Sequence, residues 1–461
     1  MDPYSLMTMW NACRSNAMNK LLQTTFPLDQ DGKYRSFFDI LKKDNQDMIH
    51  PYDLIYIFAF AKQTGDDDLE TVFAMSAMIL SRNFRGDLIV RQRLNWQHHV
   101  KLLLKEGLFK RMYRMSLESF EKLLEMLQPW LLVNQEKARN ASKGEDPISA
   151  ELIMHCTLRY LAGGSVHDIR TTAGMSKTSF FQSVYRGIDA INHCSKLKIK
   201  FPITMEVLHK SADEFCQCST DGVLNGCVAA LDGWLCCICV PSATETNRIT
   251  SYFSGHYQCY GLNVQATCDA NCRFTSISIM CSGGTGDSKA FFSSAVYDLV
   301  EQLPDGFYVV ADNAYTLSCK LLIPYSGKEK QSTSKDVFNF YLSQLRIRVE
   351  QAFGLLVNMW RVFKKPLEVA LWRATLVVEA AMRLDNFCID HRDSIRFSTN
   401  VLNPEAWVPN YEEHLDVITD NSSKQKRHVV REAILRQLQS DGRQRPQYNL
   451  IRNQNLNNRV N

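Results

Sequence analysis

Apolar residues repeat at helical spacing through roughly the first half of the chain and at strand spacing after Gly226, so the pattern changes character once. Residues 1 to about 108 read as mostly helical. The stretch LIYIFAFAKQTGDDDLETVFAMSAMILSRNF offers two apolar helices parted by a turn at Gly65-Asp66-Asp67-Asp68. From Phe109 to about His193 the pattern is again helical. Ser116 is placed to cap a helix with apolar positions Leu117, Phe120, Leu123, Leu124 and Leu127, ended by Pro129. NQEKARNASKGEDP reads as a loop. Three helices follow, ISAELIMHCTLRYLAGG, SVHDIRTTAG and SKTSFFQSVYRGIDAINHC. A short helix, a turn at Gly174 and a Ser176-capped helix carrying Lys177, Thr178, Ser179 and Gln182 form the pattern of a helix-turn-helix. An ordinary helical hairpin gives the same pattern.

Beyond Gly226, CVAALDGWLCCICV is β-rich, and YGLNVQATCDANCRFTSISIMC reads as two strands joined by a turn at Asp269-Ala270-Asn271. FFSSAVYDLVEQL returns to helix, and GFYVVADNAY is a short buried strand. A long helix is expected from about Ser334 to Trp360, with Phe338, Leu342, Leu345, Val349, Phe353 and Leu356 on its inner face. The whole is a mixed α/β layout. Its expected parts are a helical N-terminal region over 1–108, a helix-turn-helix-like domain over 109–200, an α/β domain over 221–395 and a basic tail over 420–461 that is disordered or only locally helical.

Composition changes this picture little, and charge distribution changes it more. The chain has 461 residues, 45% apolar and 22% charged, enough for two or three domains. The formal charge is only +4. Cations nevertheless gather in two segments. From Arg82 to Arg114 nine face only Asp87 and Glu106, and past Asn421 nine face only Glu432 and Asp441. Basic flanks around a balanced middle suit a polyanion lying over an acidic site, although each segment alone reads equally as a solvated face. No apolar run reaches the roughly 18 residues a membrane span needs. MDPYSLMTMW lacks the charged and apolar sections of a secretory signal. Fifteen irregularly spaced cysteines then point to reduced thiols in the cytosol or nucleus.

Three acids stand where acids are awkward. Asp232 ends the apolar run Val228–Leu231 and Asp312 ends the run Phe307–Ala311, and a carboxylate buried at a strand end is costly unless paired or bound to a cation. Glu350 lies beside the apolar face of the long helix, with Arg346 and Gly354 one turn away on either side, the glycine leaving room beside the carboxylate. Phosphodiester cleavage by two metal ions needs such hard oxygen ligands converging from separate elements. Taken singly, Asp232-Gly233 and Asp312-Asn313 also read as turn pairs.

From about Phe109 to Asp390 the chain resembles the PIF/Harbinger transposases, whose nuclease belongs to the DDE superfamily. The resemblance is carried by ALDGW, YGLNVQATCD, GGTGDSKAF, VVADNAYTLSCKLLIPYS, FNFYLSQLRIRVEQAFGLL and LDNFCID in that order. FKRMYRMSLESFEKLLEML and AGGSVHDIRTTAGMSKTSFFQSV look like the helix-turn-helix segment that precedes the nuclease. The resemblance implies an RNase H-like fold and dependence on two Mg²⁺ or Mn²⁺ ions, with Asp232, Asp312 and Glu350 as the catalytic and metal-holding triad. Asp287 matches a further recurring acid, among Gly283, Gly284 and Gly286. Double-stranded DNA is the expected substrate, met by Lys177, Thr178, Gln182 and Arg186 and cut by a homo-oligomer in the nucleus. The resemblance also implies a separate Myb-like partner.

This chain departs from the family pattern at Trp234 and Leu235, where Thr-His often follows Asp-Gly, at Ala311, often Gly, and at Val357, usually basic, although Arg361 remains. No metal ligand is lost. Two readings stay open: a working endonuclease and strand-transfer enzyme, and a domesticated DNA- or protein-binding descendant without chemistry. A third is a nuclease-fold scaffold with zinc in the cysteine cluster Cys216–Cys281, against which stand the lack of any Cys-x-x-Cys pair and the alternation of Cys237 and Cys239 along a strand. GGTG lacks the Lys-Ser or Lys-Thr of an ATPase phosphate loop.

Overall fold

The computed structural model describes residues 91–133, 136, 147–327, 332–391 and 421–445. The two apolar helices expected between Leu54 and Phe84, and Arg82 and Arg85 of the first basic segment, lie outside the described residues. The chain divides into two units, Met1–Arg91 and Gln92–Asn461. The boundary falls before 108, because helix α1 (Trp96–Lys105) packs with α2 (Phe109–Tyr113): Trp96 stacks on Phe120, and His99 meets the Tyr113 hydroxyl at 3.2 Å.

Side-chain caps start the helices where the sequence places them. Ser116 accepts from the Ser119 amide to open α3 (Leu117–Leu131), which runs two residues past Pro129. Ser149 opens α4 (Ala150–Leu161) and Ser165 opens α5 (Val166–Thr172). Ser176 accepts from the Ser179 amide at 3.1 Å to open α6 (Lys177–His193). Each oxygen satisfies an amide that has no partner in the first turn. Between α5 and α6 the backbone at Gly174 takes φ +65°, and a Cβ there would stand 1.9 Å from the Gln92 carbonyl oxygen. Only glycine fits both demands.

After α7 (Met205–Cys218) comes a mixed sheet. Strand β1 (Cys227–Cys237) is central. On one side it pairs antiparallel with β3 (Cys259–Cys268), which pairs antiparallel with β4 (Phe274–Ser282) and with the two-residue β2 (Phe253–Ser254). On the other side β1 pairs parallel with β5 (Tyr308–Val310), and β5 parallel with β6 (Leu321–Leu322). The stretch expected as one helix after β4 forms two, α8 (Asp287–Phe292) and α9 (Ala295–Glu301), parted where the Ser294 hydroxyl donates to the Phe291 carbonyl at 2.7 Å. The long helix α10 (Thr333–Met359) and α11 (Leu371–Asp390) complete the layer.

The strands sort their side chains to two faces. A register shift between Cys227 and Ala229 sends Val228 and Ala229 to the same side, and alternation resumes beyond it. Leu231, Val309, Ala311 and Leu321 join them in a core with Leu208 of α7, Phe291 of α8 and Val296 and Val300 of α9. Cys227, Ala230, Val264, Ala266 and Val310 face the other way, toward Leu345, Val349 and Phe353 of α10 and Val377 and Ala381 of α11. That second core continues without a break through Phe120, Leu158, Phe180 and Ile188, so the helical segment and the sheet share it.

Over 421–445 the tail takes the locally helical form of the two that its sequence allows. Asn421–Ser440 forms α12, which packs on α10. Leu435 and Leu438 are buried, Arg431 lies over the Tyr325 ring at 3.9 Å, and Glu432 accepts from the Tyr325 hydroxyl at 3.0 Å. Val430, Ile434 and Leu438 recur every fourth residue, an apolar stripe diluted by the basic residues around it.

Candidate active site

Strand parity decides where the acids go. Asp232 lies two residues beyond Ala230 and Asp312 two beyond Val310, and Ala230 and Val310 are register partners on parallel strands. Asp312 thus lies just past the end of β5, and it stands near enough to Asp232 to act on that carboxyl electrostatically. Glu350 projects from α10, and Arg346, one turn earlier, is bonded to its carboxylate.

Electrostatics tie the group together. Burial pushes the Asp232 carboxyl well above the usual range, and Asp312 pushes it further, against the pull of Arg346 and of the Gly233 amide, which donates to its Oδ1 at 2.8 Å. Burial raises Asp312 too. Its Oδ1 accepts from the Ala314 amide at 2.9 Å and Arg346 lowers it, while Asp287 and Glu350 raise it. Burial works against the Arg346 charge, yet Glu350, Asp232 and Asp312 together strengthen it beyond the ordinary guanidinium. One guanidinium thus acts on all three acids.

Asp287 comes from the opposite face. Its Oδ1 accepts from Asn263 Nδ2 at 2.9 Å and Gln265 Nε2 at 3.0 Å, and Gln265 Oε1 accepts from the Tyr315 hydroxyl at 2.7 Å. This explains Gly233. A Cβ there would stand 2.2 Å from Asp287 Oδ1 and 2.7 Å from Gln265 Nε2. Asp232-Gly233 is therefore no turn. It lies inside β1, and the glycine makes room for a carboxylate arriving beneath the strand. Asp312, by contrast, does make a turn with its own side chain, as the Asp-Asn pair promised. Sequence reasoning missed Asn263, Gln265 and Tyr315. The signal for the first two is polar residues alternating in an otherwise apolar buried strand, YGLNVQAT.

The donors are hard carboxylate oxygens whose charge is only partly balanced, which suits a divalent cation. Among the described residues, however, no group of three His, Cys, Asp or Glu is gathered closely enough to hold a metal. Glu350 is instead turned to Arg346. The same statement covers the cysteines. Cys237 and Cys259 have sulfurs 3.1 Å apart across β1 and β3, with no third ligand beside them.

Lys177, Thr178, Gln182 and Arg186 are all exposed on α6, and Thr178, Gln182 and Arg186 share one stripe at four-residue spacing. The opposite sides of α6 are occupied by α3, α4 and α11, to which Asp189 is tied by Arg373 at 3.2 Å. Of the first basic segment, Lys101, Lys105, Lys110 and Arg111 are exposed.

Residues 231–386 match the family model of the DDE superfamily endonucleases. The matched segment, about a third of the chain, contains Asp232, Asp287, Asp312, Arg346 and Glu350. No curated protein and no solved structure matches the chain.

Proposed function

We propose, from a DDE-type segment that spans every acid of the site, that the chain is a transposase-type endonuclease that cuts double-stranded DNA with two divalent ions, Mg²⁺ or Mn²⁺. The observation that supports this reading is that Asp232 and Asp312 each follow by two residues a register partner on adjacent parallel strands, Ala230 and Val310, and that Arg346, bonded to Glu350, acts on both. We read the sheet as RNase H-like, supported by its order β4–β3–β1–β5–β6 with β3 alone reversed. Asp232, Asp312 and Glu350 would hold the ions, which when bound supply activation of a water or 3′ hydroxyl and stabilisation of the leaving oxygen. The chain's own groups set the stage. Asp232 and Asp312 are fixed by backbone amides, Arg346 holds Glu350 and balances part of the acids' charge, and Asn263 and Gln265 keep Asp287 under β1.

The exposed stripe Lys177, Thr178, Gln182 and Arg186 would meet the duplex as a helix-turn-helix, and its opening turn supplies free amides toward phosphate. PIF/Harbinger type, action as a homo-oligomer, a Myb-like partner and work in the nucleus belong to the same reading. Incubating purified full-length protein with Mn²⁺ and DNA bearing the flanking element ends tests it: nicks that vanish with chelator are expected, and intact DNA under every divalent ion overturns it. The ion pair that holds Glu350 favours the second reading, a DNA- or protein-binding descendant without chemistry, which predicts DNA binding and no nicks.

A further inference from the structure

Four arginines converge on the C-terminal end of α4. Arg159 lies in its last turn. Arg114, just past α2 with φ 64°, donates from Nη2 to the Ala162 carbonyl at 3.4 Å. Arg361 follows the end of α10 and backs onto Gly163 so closely that a Cβ on that glycine would stand 2.7 Å from the Arg361 Cβ. Arg111 is exposed on α2. Burial, then Arg361, Arg111 and Arg159, hold the Arg114 guanidinium below its ordinary range.

No acid is ion-paired with any of the four among the described residues. Nε of Arg114 and of Arg159 is buried without a hydrogen-bond partner. A helix C-terminus carries roughly half a negative charge, so one arginine there caps it, as Arg114 does. Four guanidiniums at close range oppose one another and weaken the metal-free, ligand-free fold. A cluster that costs stability and leaves planar donors unused is built for an anion, and guanidinium forks match phosphate in geometry as well as charge.

We propose that Arg111, Arg114, Arg159 and Arg361 form a clamp for the phosphate backbone of the DNA duplex, a role that rests on the reading that this chain handles DNA. Position supports that ligand over a free anion. From Glu350 to Met359 α10 advances about 14 Å, so the cluster stands on the order of four base pairs from the acids along the same duplex. The helical segment and the end of the glutamate helix would then grip one strand together.

The test uses the full chain carrying Arg159→Gln and Arg361→Gln, a fluorescent 30-base-pair duplex, and chelator so that no cleavage intervenes. Affinity should fall at least 10-fold near 0.1 M salt. The slope of log K against log salt should shrink by about 2, since each phosphate contact contributes about 0.9. The melting temperature without DNA should hold or rise. Arg361→Gln alone, at an exposed position, should lose about 1 from the slope and guards against misfolding of the double variant. Unchanged affinity and slope overturn the clamp, as does a lowered melting temperature with DNA binding intact, which marks the arginines as structural. If wild type nicks DNA while the double variant keeps its slope, the clamp fails and the endonuclease stands. If the slope shrinks but wild type never nicks, the clamp stands and the endonuclease fails.

Discussion

Asp385 on α11 offers a measurable consequence of burial outside the site. Its side chain is 2% exposed, Oδ2 has no hydrogen-bond partner, and burial pushes its carboxyl up to about 8. In the unfolded chain the same group titrates at about 3.9. Between these values the folded protein holds one proton that the unfolded chain has released. A raised folded value means that the stability due to this group is complete below about pH 4 and is lost as pH climbs toward 8. The loss amounts to about 3 kcal/mol between pH 5 and pH 7. Asp385→Asn keeps the shape and cannot ionise. Urea unfolding of both proteins at about pH 5, 6 and 7, at constant ionic strength, should show wild type losing about 3 kcal/mol more than the variant across that span. The two curves should converge or cross with rising pH. Parallel curves would refute a neutral Asp385. A wild type that gains on the variant as pH rises would mean that the carboxylate is ionised and paired in the fold.

Two substitutions probe the candidate site. Gly233→Ala puts a methyl 2.2 Å from Asp287 Oδ1 and should cost about 3 kcal/mol in chemical denaturation, part of it recovered when Asp287→Ala is added; independent, additive effects would disprove the contact. Arg346→Met leaves Glu350, Asp232 and Asp312 without their shared cation. It should lower stability in chelator by about 1–2 kcal/mol, less than for a fully buried pair because Glu350 is 40% exposed, and Mn²⁺ should restore more stability to the variant than to wild type in thermal melts.

Much of this architecture is legible in the sequence where local chemistry governs it. Ser116 and Ser176 announce their helices, the Asp269 turn announces the β3–β4 hairpin, and apolar spacing from Phe338 to Leu356 announces α10. Asp232 and Asp312 stand out as acids closing apolar runs. Their nearness is not legible, because it depends on the register of β1 with β5, strands brought together from far apart in sequence, and on the shift at Cys227–Ala229. Asp232-Gly233 looks like a turn because the carboxylate that requires the glycine, Asp287, arrives from beyond β4. The arginine cluster is hidden for the same reason, since its members come from α2, α4 and the end of α10. The helix α12 is left open in the sequence because its apolar stripe is thin.

The central claim, that Asp232, Asp312 and Glu350 hold divalent ions for DNA cleavage, is met most directly by Mn²⁺ binding measured calorimetrically on wild type and Asp312→Asn, with nicking of an element-end duplex followed on the same samples. Asp312→Asn removes a negative charge that two clustered cations require. Wild type should bind two Mn²⁺ and nick the duplex; Asp312→Asn should bind fewer, cut nothing detectable, and still bind DNA with wild-type affinity. Equal Mn²⁺ binding and equal cutting by the two proteins would contradict the assignment, and a wild type that takes up no Mn²⁺ would contradict the metal-dependent endonuclease itself.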